Sequence, residues 1–312
     1  MNDARSTGNT WDTEIDVNGA FIREPTEFRN CISTETGSEF QPDMGRYHLY
    51  VSYACPWAHR TLITRKLKGL EDVVSVDVVA PFLSSTGWSF DDSVEGATGD
   101  RENNYSNLQE VYFAAKENFA GTITVPVLWD KKNHTIVNNE SAEIIRLFNS
   151  EFQALAKHPE LDLYPQPLRE EIESLNDWIF PEINNGVYRC GFARSQEAYN
   201  DAFRRLFAAL DRVESLLQER RYLTGDQLTE ADVRLFTTLV RFDAVYSVHF
   251  KCNLRHIVDY SGMWRFVRDI YNLPGVAETV NMEHIKLHYY QSHTHINPFG
   301  IVPLGPLQDF SL

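Results

Sequence analysis

The chain of 312 residues contains no run approaching the roughly 20 consecutive apolar residues that a membrane helix requires. Cysteine is sparse: four residues, at positions 31, 55, 190 and 252, show neither paired metal-site spacing nor the density of a disulfide framework. In a reducing compartment such thiols stay free. Positive charge is also short, with 29 Lys and Arg against 44 Asp and Glu and a net charge of −15. Nucleic acid and anionic membrane both favour a basic face, so neither is expected as a partner. An anionic substrate requires a pocket that gathers positive groups locally against this background. The polar start, Met1-Asn2-Asp3-Ala4-Arg5 running into Asp12, Glu14 and Asp16, is neither a secretory apolar segment nor an Arg-rich transit peptide. A cytoplasmic address is expected.

What is present is an ordinary globular composition, 43% hydrophobic and 23% charged, in a length that suits two modest domains. The most informative stretch is Tyr53-Ala54-Cys55-Pro56-Trp57-Ala58-His59-Arg60. An alternating, strand-like run precedes it at 46–52, and the apolar spacing of 61–68, closed by Gly69, reads as a helix. A cysteine at a strand-to-helix turn meets free backbone N–H groups and the positive end of the helix dipole. That setting predicts a lowered thiol pKa and a nucleophilic thiolate. Three residues on stands Ala58 rather than a second cysteine, so whatever Cys55 attacks must be released by a thiol from outside. His59 and Arg60, one turn along, are read as packing or ion-pairing residues.

Residues 1–44 read as a polar extension wrapped on the fold, and 45–155 as an α/β unit. The β-branched run 73–80 is expected to be a buried parallel strand, which completes a βαβ unit with the strand and helix before it. Residues 81–107 read as a long loop and 107–116 as a helix. A strand interrupted by Pro126 follows at 122–130, where the backbone must turn away, often through a cis bond. A hairpin across 131–134 and a helix opening at Asn139-Glu140-Ser141 complete a thioredoxin-like order. Three prolines in 159–167 mark a linker. From 165 to 285 the periodicity is helical, as in Ala202, Leu206, Ala209, Leu210, Val213, Leu216 and Leu217. Thr229-Glu230-Ala231-Asp232 is a capping-box variant with Leu228 and Val233 at the staple positions. Residues 286–312 read as a tail packing near the site. The histidines at 284, 288, 293 and 295 have no Cys or carboxylate at ligand spacing, so no metal is expected.

An α/β thioredoxin-like half, a Val-Pro turn, a Glu-Ser pair and an all-α second half resemble a soluble glutathione transferase. Cys55-Pro56-Trp57-Ala58, Gly87-Trp88, Thr124-Val125-Pro126-Val127-Leu128-Trp129-Asp130 and Asn138-Asn139-Glu140-Ser141 narrow the likeness to the glutathionyl-hydroquinone reductases, the xi class, whose omega-like relatives share the cysteine. Asn184-Asn185-Gly186-Val187-Tyr188, His288-Tyr289-Tyr290-Gln291-Ser292-His293, Ile296-Asn297-Pro298 and Gly300-Ile301-Val302-Pro303 are similar in the same way.

The resemblance implies glutathione as co-substrate and a glutathionylated aromatic quinol as partner, with Cys55 as nucleophile and a homodimer as the assembly. It makes Trp88 a wall of the glutathione site. Val125 becomes a backbone partner of the cysteinyl residue beside Pro126, and Glu140 and Ser141 the receivers of the γ-glutamyl group. Tyr188 and Tyr289 then face the aromatic ring, while Tyr290 turns elsewhere. Lys116 is offered as a cation for the glycyl carboxylate. Cys31, Cys190 and Cys252 are read as bystanders. Two other readings use the same sequence: an omega-like thiol transferase acting on small disulfides or dehydroascorbate, and a non-catalytic assembly module.

Overall fold

A computed structural model describes residues 15–312 except Glu24 and Ser85. Residues 1–14 of the expected extension therefore lie outside the described residues. The α/β half runs β1 (Tyr47–Val51), α1 (Pro56–Leu67), β2 (Val74–Val78), β3 (Leu83–Ser84), β4 (Gly87–Trp88), α2 (Leu108–Ala115), β5 (Val127–Asp130), β6 (Thr135–Asn138) and α3 (Ser141–Ser150). The main sheet has the order β2-β1-β5-β6, with β1 parallel to β2 and antiparallel to β5. Tyr47 pairs with Val74, and Leu49 lies between Val76 and Leu128.

The alternation at 46–52 suggests a half-solvated strand, yet every residue of β1 is buried. β1 is a central strand, so its polar residue needs internal partners. His48 finds Ser75 at 2.8 Å and Asp77 at 3.3 Å. The strand expected over 122–130 begins only at Val127. The Val125–Pro126 bond before it is cis, and the chain there lies off the ladder. The extension covers the open edge of β6: the Asn30 N–H donates to the Val137 carbonyl (3.0 Å) and the Asn139 N–H to that of Phe28 (3.0 Å). An edge strand so covered offers no template for foreign pairing.

The second half is helical: α4 (Arg169–Ile179), α5 (Gly186–Gly191), α6 (Gln196–Glu219), α7 (Glu230–Arg241), α8 (Ser261–Tyr271) and α9 (Met282–Ser292). α4 and α7 each end in a single π-helical turn, Phe180–Asn184 and Phe242–Tyr246. Such turns often mark functional positions. The α6 stripe buries Ala202, Leu206, Ala209, Leu210, Val213 and Leu217, as its spacing requires. α7 is buried along its whole length and packs on α1, and this contact joins the two halves.

The start of α7 is held as its sequence predicts. The Asp232 carboxylate, wholly buried, accepts the Thr229 N–H (2.8 Å), the Thr229 hydroxyl (2.9 Å) and the Leu223 N–H (2.8 Å). The long segment 81–107 is more than a loop. It carries the β3–β4 hairpin and is tied to α9 by Leu83 N–H on Ser292 Oγ (2.9 Å) and by His288 Nδ1 on the Pro81 carbonyl (2.9 Å). The tail beyond α9 ends on α8, where Phe310 stacks on Tyr271 at 4.8 Å.

Asp232→Ala removes the shared acceptor of three buried donors. It is expected to destabilise the protein by about 2–3 kcal/mol, read as a lowered urea midpoint in equilibrium unfolding.

Candidate active site

Cys55 is the N-cap residue of α1, with Pro56 in the first helical turn. Proline is tolerated there because its missing N–H has no intrahelical acceptor to lose. The turn that presents the thiol is fixed from the other half of the molecule. Arg241, at the end of α7 and fully buried, donates from Nη2 to the Tyr53 carbonyl (2.8 Å) and from Nε to that of Ala54 (3.0 Å). Its Nη1 donates to Nδ1 of His59 (2.9 Å), so Nε2 of that ring carries the proton and donates to Thr279 Oγ1 (2.8 Å). Burial, with Arg241 beside it, pushes the His59 pKa well below the usual range and keeps the ring neutral. His59 is therefore a strut of the turn.

The Cys55 thiol is half-buried and lies 3.5 Å from the Val125 carbonyl, to which it donates. Burial pushes the thiol pKa up, while the backbone N–H groups of Ala58 and Trp57 and the charges of Arg241 and Arg23 pull it down. Burial wins, contrary to the lowered pKa expected from the turn alone. The sequence reveals the helix N-terminus but not the apolar walls that desolvate it.

The second group of functional side chains comes from the helical half. Tyr188 on α5 and Tyr289 on α9 are separated by 101 positions, yet their hydroxyls lie 2.6 Å apart. Tyr246, from the π-helical turn after α7, adds its hydroxyl at 3.1 Å from that of Tyr289. All three rings are buried, and burial raises each phenol pKa, so the cluster is neutral and rich in O–H donors. Tyr290, one residue on, donates instead to the Ala244 carbonyl (3.1 Å).

A cavity of about 720 Å³ lies between the halves. That volume suits a small-molecule ligand. Cys55, Trp88, Val125, Pro126, Glu140, Ser141, Tyr188 and Tyr289 all lie on its wall. Trp88 is brought there by the β3–β4 hairpin and stacks on His288 with ring centres 4.9 Å apart. Glu140 caps α3, accepting the Ala142 N–H at 3.1 Å. Ser141 is the first residue of that helix, and its hydroxyl faces Arg60 Nη1 at 3.4 Å. Lys116 is absent from the wall: it is exposed after α2 and paired with Glu27.

Other wall residues stand outside the site expected from the sequence, Arg60 among them as a packing or ion-pairing residue. Arg23, Arg60, Arg189 and Arg234 gather positive charge there, in a chain whose net charge is −15. Arg23 comes from the extension, lies over the rings of Trp57 (4.9 Å) and Tyr188 (5.2 Å), and donates to Asn185 Oδ1 (3.1 Å). No motif marks Arg23, Arg234 or Tyr246. The Asn184-Asn185 pair before Tyr188 is the one local signal near them. Cys190 and Cys252 are buried away from the wall, and Cys31 is exposed. Among the described residues no group of three or more His, Cys, Asp or Glu side chains is placed to hold a metal ion, and no helix is long and apolar enough to cross a membrane.

The chain is similar to known proteins along most of its length. The family described as glutathione S-transferase, N-terminal domain, matches residues 54–151, and the corresponding C-terminal domain family matches residues 196–269. The chain is 54% identical to glutathionyl-hydroquinone reductase YqjG of Escherichia coli K-12, over 96% of this chain and 93% of that one. The glutathione-bound structure of YqjG superposes with a TM-score of 0.88 at 55% identity, covering 92% and 94% of the two chains. The xi glutathione-S-transferase of Phanerochaete chrysosporium superposes with a TM-score of 0.92 at 52% identity, covering 96% of each. Glutathione S-transferase omega-like 2 of Schizosaccharomyces pombe is 52% identical over 93% and 94%. The chain belongs to the glutathione S-transferase superfamily and, within it, to the xi-class glutathionyl-hydroquinone reductases.

Proposed function

We propose that the protein reduces S-glutathionyl-hydroquinones to hydroquinones at Cys55, using glutathione as reductant. One observation carries the reading: a single cysteine thiol, with no second cysteine on the wall, shares a cavity with the hydrogen-bonded phenols of Tyr188 and Tyr289. Val125, Glu140 and Ser141, beside Trp88, form the peptide-binding side of that cavity; the phenols form the aromatic side. The arginines on the wall supply the positive charge that a doubly carboxylated thiol needs.

In the first step the Cys55 sulfur attacks the glutathionyl sulfur. An S–S bond forms, the aryl C–S bond breaks, and its electron pair stays with the aryl carbon. Cys55 loses its thiol proton and that carbon gains one, so the step balances as written. The product pair is hydroquinone and a Cys55–glutathione disulfide. Tyr188 and Tyr289 hydrogen-bond the quinol oxygens and relay the proton, since a neutral phenol both donates and accepts. A second glutathione attacks the disulfide, giving oxidised glutathione and the free thiol. The Val125 carbonyl now holds the thiol proton. A cysteinyl N–H of the bound peptide competes for that carbonyl, as one added strand does. Peptide binding thus removes an interaction that favours the protonated thiol.

The same reading makes the protein a cytoplasmic homodimer. Four free cysteines suit a reducing compartment. The exposed apolar side chains of Phe299, Ile301, Leu304 and Leu307 offer surface to a second copy.

Cys55→Ser is expected to bring hydroquinone release from a glutathionyl-hydroquinone down to the uncatalysed rate; substantial turnover would refute the covalent route. Tyr188→Phe and Tyr289→Phe should each slow that release by about 10²-fold, while reduction of a small glutathione mixed disulfide, which needs no carbon protonation, stays within about three-fold. Equal losses in both assays, or brisk disulfide reduction with no quinol release in the wild type, would favour the omega-like transferase. Because burial raises the Cys55 thiol pKa, alkylation of the free enzyme by iodoacetamide should keep climbing as pH passes 9, the ordinary thiol value. A plateau reached near neutral pH would contradict the burial argument.

A further inference from the structure

Arg60 lies on α1, five positions after Cys55, with only 1% of its surface exposed. Its guanidinium sits over the Trp57 ring at 4.5 Å and directs Nη1 to Ser141 Oγ at 3.4 Å. Among the described residues, its buried Nε and Nη2 atoms find no hydrogen-bond acceptor. Arg234 on α7, 8% exposed, lies on the same wall, and its Nε also finds none among the described residues. The acid nearest Arg234 is Glu230 at 3.7 Å. That carboxylate is already engaged by Arg146 at 2.6 and 2.9 Å and by Asn176 at 3.2 Å. Arg234 thus leans on one committed carboxylate, and among the described residues Arg60 reaches the Ser141 hydroxyl but no carboxylate within ion-pair distance. A buried charge short of partners is costly, and an anion delivered to the wall relieves the cost at both arginines.

We infer that Arg60, backed by Arg234, anchors the α-carboxylate of the γ-glutamyl residue of glutathione. The inference rests on the glutathione reading above and assigns one of the two carboxylates of the peptide. Position decides which one. Arg60 meets Ser141 at the N-terminus of α3, and the Glu140 carboxylate stands beside that hydroxyl at 3.5 Å. A cation and a hydroxyl next to a carboxylate match an amino-acid head, which presents a carboxylate and an ammonium on one carbon. The glycyl end has no such pair of charges. Burial and Arg234 both disfavour the charged form of Arg60, so a bound carboxylate restores what the protein interior withholds. Trp57, stacked on the guanidinium, holds its plane in place.

Calorimetric titration tests the assignment with three S-methylated peptides, which cannot exchange with Cys55. These are S-methylglutathione, its analogue with γ-aminobutyrate in place of γ-glutamate (amine kept, carboxylate removed), and S-methyl-γ-glutamylcysteine. The wild type is expected to bind S-methylglutathione about 10- to 100-fold more tightly than the γ-aminobutyryl analogue. In Arg60→Met that ratio should shrink to within about three-fold, while the ratio to S-methyl-γ-glutamylcysteine, which reports the glycyl carboxylate, stays unchanged. Arg60→Lys, which keeps the charge but loses the planar fork, should give an intermediate ratio and carries the test if the methionine variant does not fold. An unchanged γ-aminobutyryl ratio in either variant overturns the assignment. So does loss of the glycyl ratio instead. A wild type that binds S-methylglutathione and the γ-aminobutyryl analogue alike overturns it while leaving the glutathione reading intact. A wild type that binds none of the three overturns both.

Discussion

The buried guanidinium of Arg241 is the interaction on which the site depends. From the end of α7 it satisfies the carbonyls of Tyr53 and Ala54 and the Nδ1 of His59 at once. Those groups flank Cys55 on both sides in sequence. The Cys55 turn of the α/β half is therefore shaped by a side chain of the helical half, and α7, buried along its whole length, gives that side chain little freedom to move. His59 extends the tie through Thr279 to the segment before α9. The same helix α9 carries Tyr289. The turn that carries the thiol is thus tied by hydrogen bonds to the segment that leads into the helix of Tyr289, which limits how far the two can move apart.

The cavity that results is electrically unlike the rest of the molecule. The chain is acidic overall, yet arginines from the extension, α1, α5 and α7 converge on one wall. Two of them are held by aromatic rings or a neutral amide, Arg23 by Trp57, Tyr188 and Asn185 and Arg60 by Trp57, while Arg189 and Arg234 lie beside Asp201 and Glu230. Rings and amides hold a cation in place without neutralising it, so the charge stays available to a ligand. Beside these charges, burial keeps three phenols protonated and His288 near a pKa of about 4, hence neutral at physiological pH.

Local chemistry in the chain was legible where it needs only near neighbours. The strand–Cys–Pro–helix turn, the Asp232 capping box, the buried stripe of α6 and the helix opening at Glu140-Ser141 all follow from spacing over a few residues. The long segment 81–107 was not legible as a hairpin, because β3 and β4 have two residues each and are held by Ser292 and His288 from some 200 positions away. Tyr246 escaped for a like reason: it stands in a π-helical turn, which shifts the register of the helix face and carries no sequence signature of its own. Arg60 is visible in the sequence as a packing or ion-pairing residue; only its depth of burial and its unmatched donors point to a ligand.

By itself the sequence determined the order of elements and the position of the thiol at a helix N-terminus, because periodicity and turn chemistry are local properties; Tyr188 and Tyr289 were pointed to by the resemblance of their motifs. Tertiary structure decided the state of that thiol, the meeting of Tyr188 with Tyr289, the choice of arginines on the wall and the displacement of Lys116 to an outer ion pair with Glu27. Desolvation and charge proximity depend on which distant segments come together, and no spacing along the chain encodes them. Cys55 is a cysteine at a helix N-terminus in the sequence; only the walls closed around it by the second half set its proton affinity and what it can reach.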